Sequence, residues 1–196
     1  MSSSSASSPA PIEACDFCGA PLAEIHQHVM ERATRKLECA CDPCAILFGG
    51  QDQKYRRVPR RTHYLPQFRM TDAQWSALMI PIGIAFLFRH GESGKVAALY
   101  PSPAGPVESR LTLDAWEEIA KDNPEVRSLE PDVEGLLIYR VGTASEHYII
   151  PIDECFKLVG IIRMNWKGFS GGMLVWQEIG KFLEQLKQRS TRKAGA

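Results

Sequence analysis

The chain has 196 residues, 44% apolar and 23% charged, a composition that can bury a core in one main domain with a small appendage. Lys plus Arg and Asp plus Glu both number 23, so no global field draws it to nucleic acid or to an anionic membrane. The longest apolar run, "MIPIGIAFLF" at 79–88, is about half of the ~20 residues a membrane-spanning helix needs, and predicts a core strand instead.

Residues 1–12 are rich in Ser, Ala and Pro, too polar to offset ordering entropy, and predict a disordered tail. They lack the charged start and apolar core of a secretion signal, so a cytoplasmic location with reduced thiols is expected. Residues 13–48 hold five of the six cysteines and form a metal-binding module. Residues 49–62 read as a basic connector, punctuated by Gly and Pro, with five basic residues in "KYRRVPRR" at 54–61.

The rest, 63–189, predicts a mixed α+β domain with antiparallel strands. Thr71 can cap "DAQWSALM", with Gln74 completing a capping box. "IGIAFLF" and "KVAALY" flank "RHGESG" as a strand pair, and "PSPAGPVES" predicts a stiff loop because three prolines suit no ladder. "LTLDAWEEIAKDN" places Leu113, Trp116, Ile119 and Ala120 on one helical face, with Pro124 closing it. "VEGLLIYR", whose pattern also suits a helix, and "EHYIIPI" read as a second strand pair. Asp153 can cap "ECFKLVGIIRMNW", and "MLVWQEIGKFLEQLKQ" repeats apolar residues with helical period at Leu174, Val175, Ile179, Phe182, Leu183 and Leu186. Residues 190–196 are expected to fray.

Cys15-x-x-Cys18 and Cys41-x-x-Cys44, with 22 residues between, match two metal-binding loops joined by a hairpin, a zinc-ribbon-like arrangement. Two intervening residues let each loop fold back so that both sulfurs converge on one ion, and four thiolates then enclose it. Gly19 suits the turn after the first loop. Zinc is the expected metal. Rubredoxin-type iron is the alternative, although "AIL" after Cys44 lacks the glycine such loops use. Cys39 is surplus: a thiol beneath the site, a ligand displacing another, or a redox or labile-metal partner. His26 and His28 share one face of a strand and are candidate ligands of a second or mixed site, or simply residues of a half-exposed strand.

Other motifs carry less. "GFSGG" at 168–172 resembles a nucleophile elbow, but no histidine follows Ser170, and a turn between helices with Ser170 as cap fits better. "HGESGKV" lacks the spacing of a phosphate-binding loop, and Cys155 falls on an apolar helical face. No acid–base pair stands apart from a solvated surface, so no enzyme is expected.

With "CDFCGAPL", the "HQH" pair, "LECACDPCAILF", "ALYPSPAGPVES", "LEPDVEGLLIYR" and "PIDECFKLVGIIRMNWKGFSGG" in place, the chain resembles a bacterial family of unknown function. Genes of that family often lie near those for nickel-iron uptake hydrogenases. The resemblance implies a hydrogenase subunit or maturation factor as protein partner, and the five clustered cysteines, His26 and His28 as recurring features. The expected function is a metal-binding, non-catalytic accessory or assembly factor. The alternatives are a rubredoxin-like redox or metal-delivery protein and a nucleic-acid-binding zinc-ribbon regulator using Lys54 to Arg61.

Overall fold

The computed structural model describes residues 13–50, 54–109, 113–168 and 171–192. The tail expected at 1–12, the last residues 193–196 and Ser170 lie outside them. Contacts divide the chain between Arg57 and Val58 into two units.

The first unit is built on an antiparallel hairpin, β1 (Gln27–Glu31) and β2 (Leu37–Ala40). Residues 32–36 make its bend, with the Arg35 N–H donating to the Glu31 carbonyl at 2.7 Å. α1 (Asp42–Phe48) follows β2 directly, and β3 (Tyr55–Arg57) returns to pair with β1, giving the order β2-β1-β3. β3 lies inside the stretch expected to be a connector. Two side-chain contacts recruit it: Tyr55 meets Phe17 edge to face at 5.0 Å, and Lys54 pairs with Glu31 at 2.6 Å. The buried core is small, comprising Cys15, Val29, Ala40, Cys44 and Ala45.

The second unit contains β4 (His63–Tyr64), α2 (Asp72–Ala77), β5 (Ile84–Arg89), β6 (Val96–Ser102) and β7 (Gly105–Ser109). It continues with α3 (Leu113–Asp122), a 3-10 turn (Pro124–Ser128), β8 (Glu134–Val141), β9 (Ala144–Pro151), α4 (Ile152–Asn165), α5 (Gly172–Arg189) and β10 (Thr191–Arg192). The strands form one mixed sheet in the order β10-β4-β9-β8-β5-β6-β7, antiparallel throughout except for β10 beside β4. The chain is therefore an α+β protein.

The continuous apolar run of β5 is explained by cover on both faces of the sheet. On one face Ala85, Leu87, Leu136, Ile138 and Ile149 pack with Trp116, Ile119 and Ala120 of α3. On the other, α4 approaches so closely that a Cβ on Gly135 would stand 3.3 Å from the Cys155 sulfur. Cys155 is thus a core thiol, as its apolar neighbours suggest. α5 packs on α4 through the expected stripe, with Val175, Ile179, Phe182, Leu183 and Leu186 buried and Leu174 left exposed.

Where the cues are local, the elements form as read. Thr71 caps α2 with both halves of the capping box, and Glu134–Val141 is a strand paired along its length with β9. Three expectations are corrected. "PSPAGPVES" is not a loop but the end of β6 and the whole of β7, with Pro101 opposite Pro106. Proline is tolerated there because β7 is an edge strand and Pro101 lies beyond the residues of β6 that pair with β5. α4 begins at Ile152, so Pro151 rather than Asp153 is its cap, and the Asp153 carboxylate accepts from the Glu154 N–H at 2.8 Å. Thr191 and Arg192, expected to fray, form β10, anchored by the Thr191 N–H to the Thr62 carbonyl at 3.0 Å.

Candidate metal centre

The first cysteine loop is a tight knuckle. The Gly19 N–H donates to the Cys15 carbonyl at 2.8 Å, and the Cys15 N–H donates to Ala20 at 2.8 Å, closing the loop over Asp16 and Phe17. Gly19 stands at φ +72°, a left-handed conformation that glycine takes without a Cβ clash. Phe17 is held between Phe48, stacked at 4.9 Å, and Tyr55, which fixes the loop against α1 and β3.

The second loop departs from a zinc ribbon. Cys41 caps α1 and Cys44 lies in its first turn, so the pair is delivered by a helix start rather than by a turn between strands. The cue is in the sequence: Asp42 suits a first helical turn, and Pro43 belongs where no intrahelical N–H is needed.

Knuckle, hairpin and helix bring Cys15, Cys18, Cys41 and Cys44 together, their sulfurs all within 4.8 Å of one another. Four thiolates at about 2.3 Å from a tetrahedral ion stand about 3.8 Å apart. The Cys18 and Cys41 sulfurs are 3.7 Å apart. The donor set and its dimensions therefore fit a tetrahedral metal.

The thiols are electrostatically unequal. Burial pushes Cys15 up, but N–H groups of Cys41, Phe17 and Cys18 donating to its sulfur outweigh this and hold it at about 6. Burial, followed by the neighbouring sulfurs, pushes Cys44 up to about 12. The four thiols thus differ in their hold on a proton, and ligation of a metal by their thiolates must release protons.

The remaining candidates form a group of their own. Ligating atoms of His26, His28 and Cys39 lie within 4.8 Å of one another; His28 stands opposite Cys39 on the hairpin, whereas His26, expected to share its strand, lies just before β1. Two further residues were not singled out by sequence reasoning. Asp16, inside the first loop, accepts from the Cys39 N–H at 2.6 Å, and Gln27, between the histidines, donates to Asp42 at 2.9 Å. Their only signal was position, as polar residues between paired ligands.

Fold and cluster together define a class: an α+β protein carrying a four-cysteine cluster with the geometry of a metal site. The chain belongs to the family of unknown function DUF5947, whose model matches residues 14–190. Neither curated proteins nor solved structures yield a match to it.

Proposed function

We propose that this protein is a zinc-binding, non-catalytic accessory or assembly factor that acts through protein–protein contact in the cytoplasm, with a hydrogenase subunit or maturation factor as partner. The observation that carries the reading is the four-sulfur cluster. Four thiolates fill a tetrahedral ion and leave no position for substrate, the hallmark of a structural rather than catalytic site. The partner reading draws support from the same unit, where Ile25, Ile46 and Leu47 are 79%, 70% and 64% exposed. Apolar side chains of that size gain by being covered. The hydrogenase assignment rests on the family resemblance alone.

A nucleic-acid role is less favoured by the basic stretch, because Lys54 is paired with Glu31 and Arg61 with Glu130 and Glu134. Among the described residues, no helix is long and apolar enough to cross a membrane.

Two measurements test the reading. Metal analysis of the purified chain should find tightly held zinc and no visible absorption, whereas a red iron–thiolate spectrum would replace it with the electron-carrier alternative. A tagged chain should co-purify a hydrogenase or maturation protein from its native cells, and recovery of neither would remove the proposed partner.

A further inference from the structure

We infer that His26, His28 and Cys39 form a second metal site, one for a borderline-soft first-row transition ion, with a coordination position left open. It goes beyond the four-cysteine reading and stands on its own observations.

The first observation is convergence. One thiol and two imidazoles come within 4.8 Å of one another, His28 and Cys39 directly across the ladder from each other and His26 from the residue just before β1, with the two rings 4.7 Å apart between centroids. Antiparallel pairing holds His28 and Cys39 opposite each other at fixed separation, and the hydrogen bond from His26 Nδ1 to the Ala23 carbonyl fixes the third ring.

The second is the state of His26. Its side chain is only 7% exposed, and its Nδ1 faces the Ala23 carbonyl at 2.9 Å, an acceptor that requires Nδ1 to carry the proton. In the neutral ring Nε2 then carries the lone pair, and this atom is buried with no hydrogen-bond partner among the described residues. A buried acceptor with nothing to accept from is left without the hydrogen bond it would make in water. An imidazole with one nitrogen donating to a backbone carbonyl and the other left without a protein partner is the arrangement of a metal-ligating histidine. The edge-to-face contact between the histidine rings would account for their proximity but not for the orphaned nitrogen.

The third is support. Cys39 is clamped through its backbone at both ends: its N–H donates to the Asp16 carboxylate at 2.6 Å, and its carbonyl accepts from the Asp16 N–H at 2.9 Å. Gln27 ties the segment between the histidines to Asp42 at 2.9 Å. Both braces come from residues inside the four-cysteine loops, so an ion in those loops orders the scaffold of the second group.

Two imidazoles and one thiolate favour zinc, cobalt, nickel or copper over the hard cations. Three protein ligands leave the fourth tetrahedral position to water or to an incoming donor. The four-cysteine cluster is closed, whereas this group is suited to exchange.

Cobalt(II) titration of the full-length, reduced, metal-free chain tests the inference. The native chain should take up two equivalents. The first should bring the charge-transfer intensity of four thiolates, and the second should add that of a single thiolate. His28→Ala and Cys39→Ala should each lower saturation from two equivalents to one and leave the first-equivalent spectrum unchanged. Saturation of the native chain at one equivalent with a four-thiolate spectrum would overturn the second site and leave the four-cysteine reading standing. Saturation at one equivalent with a single-thiolate spectrum would do the reverse. Variants that still take two equivalents would also overturn it, and should either variant fail to fold, the native titration decides.

Discussion

Glu134, 1% exposed at the start of β8, receives two hydrogen bonds from Arg61, from Nε at 2.8 Å and from Nη2 at 3.1 Å. The Glu130 N–H adds a third at 2.9 Å, so the buried carboxylate is neutralised and held. Removing one partner of such a pair strands a charge out of water. Arg61→Ala should lower stability by about 3 kcal/mol in urea unfolding. Arg61→Lys should recover only part, since lysine cannot reproduce the fork. A loss below about 0.5 kcal/mol would show that water replaces the guanidinium.

His147 gives the fold a defined acid limb. Burial first, and then Arg140, hold its pKa down at about 4 against the usual 6.5. Its ring stacks on Phe68 at 4.4 Å. The folded chain resists protonation that the unfolded chain accepts, so the contribution is complete above pH 6.5 and is lost as pH falls toward about 4. That gap corresponds to about 3 kcal/mol. His147→Phe should show a smaller stability difference between pH 7 and pH 4 than the native chain, and an unchanged difference would refute the assignment.

Metal removal should act on one unit. A cluster of five buried residues, with Met30 beside it in sequence, makes too small a core to hold the first unit without further support. A strong chelator should abolish hydrogen-exchange protection in Gln27–Glu31 and Leu37–Ala40 while leaving β5, β8 and β9 protected. Equal loss in both units would show that the cluster supports the whole chain.

Asn123 joins the end of α3 to a distant loop. Its side chain accepts from the Arg69 N–H at 2.6 Å and donates to the carbonyls of Arg69 at 2.7 Å and Ile119 at 2.8 Å. Asn123→Ala should cost about 2–3 kcal/mol by thermal unfolding, since it orphans buried backbone groups. A near-neutral result would mean that the loop re-forms its bonds elsewhere.

The four-cysteine set was legible because paired cysteine spacing is a local signal with a local cause, and Gly19 and the Thr71 box were legible for the same reason. The helical start at Cys41 was also written in Asp42 and Pro43, but it was outweighed by the expectation of two like loops. β3, β7 and β10 were not legible. β3 and β10 are short, and each is a strand only because a partner distant in sequence supplies its hydrogen bonds, as β1 does for Tyr55–Arg57 and β4 for Thr191–Arg192, whereas β7 pairs with its hairpin neighbour β6 and was hidden by its prolines. Register likewise could not be read, and it is register that set His28 and a spare cysteine opposite each other.

Thr191 lies beside His63 at one edge of the second unit's sheet, so the first and last strands of that unit are neighbours. A chain whose ends meet in space can be rejoined and reopened elsewhere without crossing its core. The second unit is therefore suited to circular permutation, with a short tether from Arg192 back to Val58 and new ends cut in an exposed turn such as 142–143. Expressed that way it would show how much of the molecule's behaviour belongs to the sheet and how much to the cysteine-bearing segment before it.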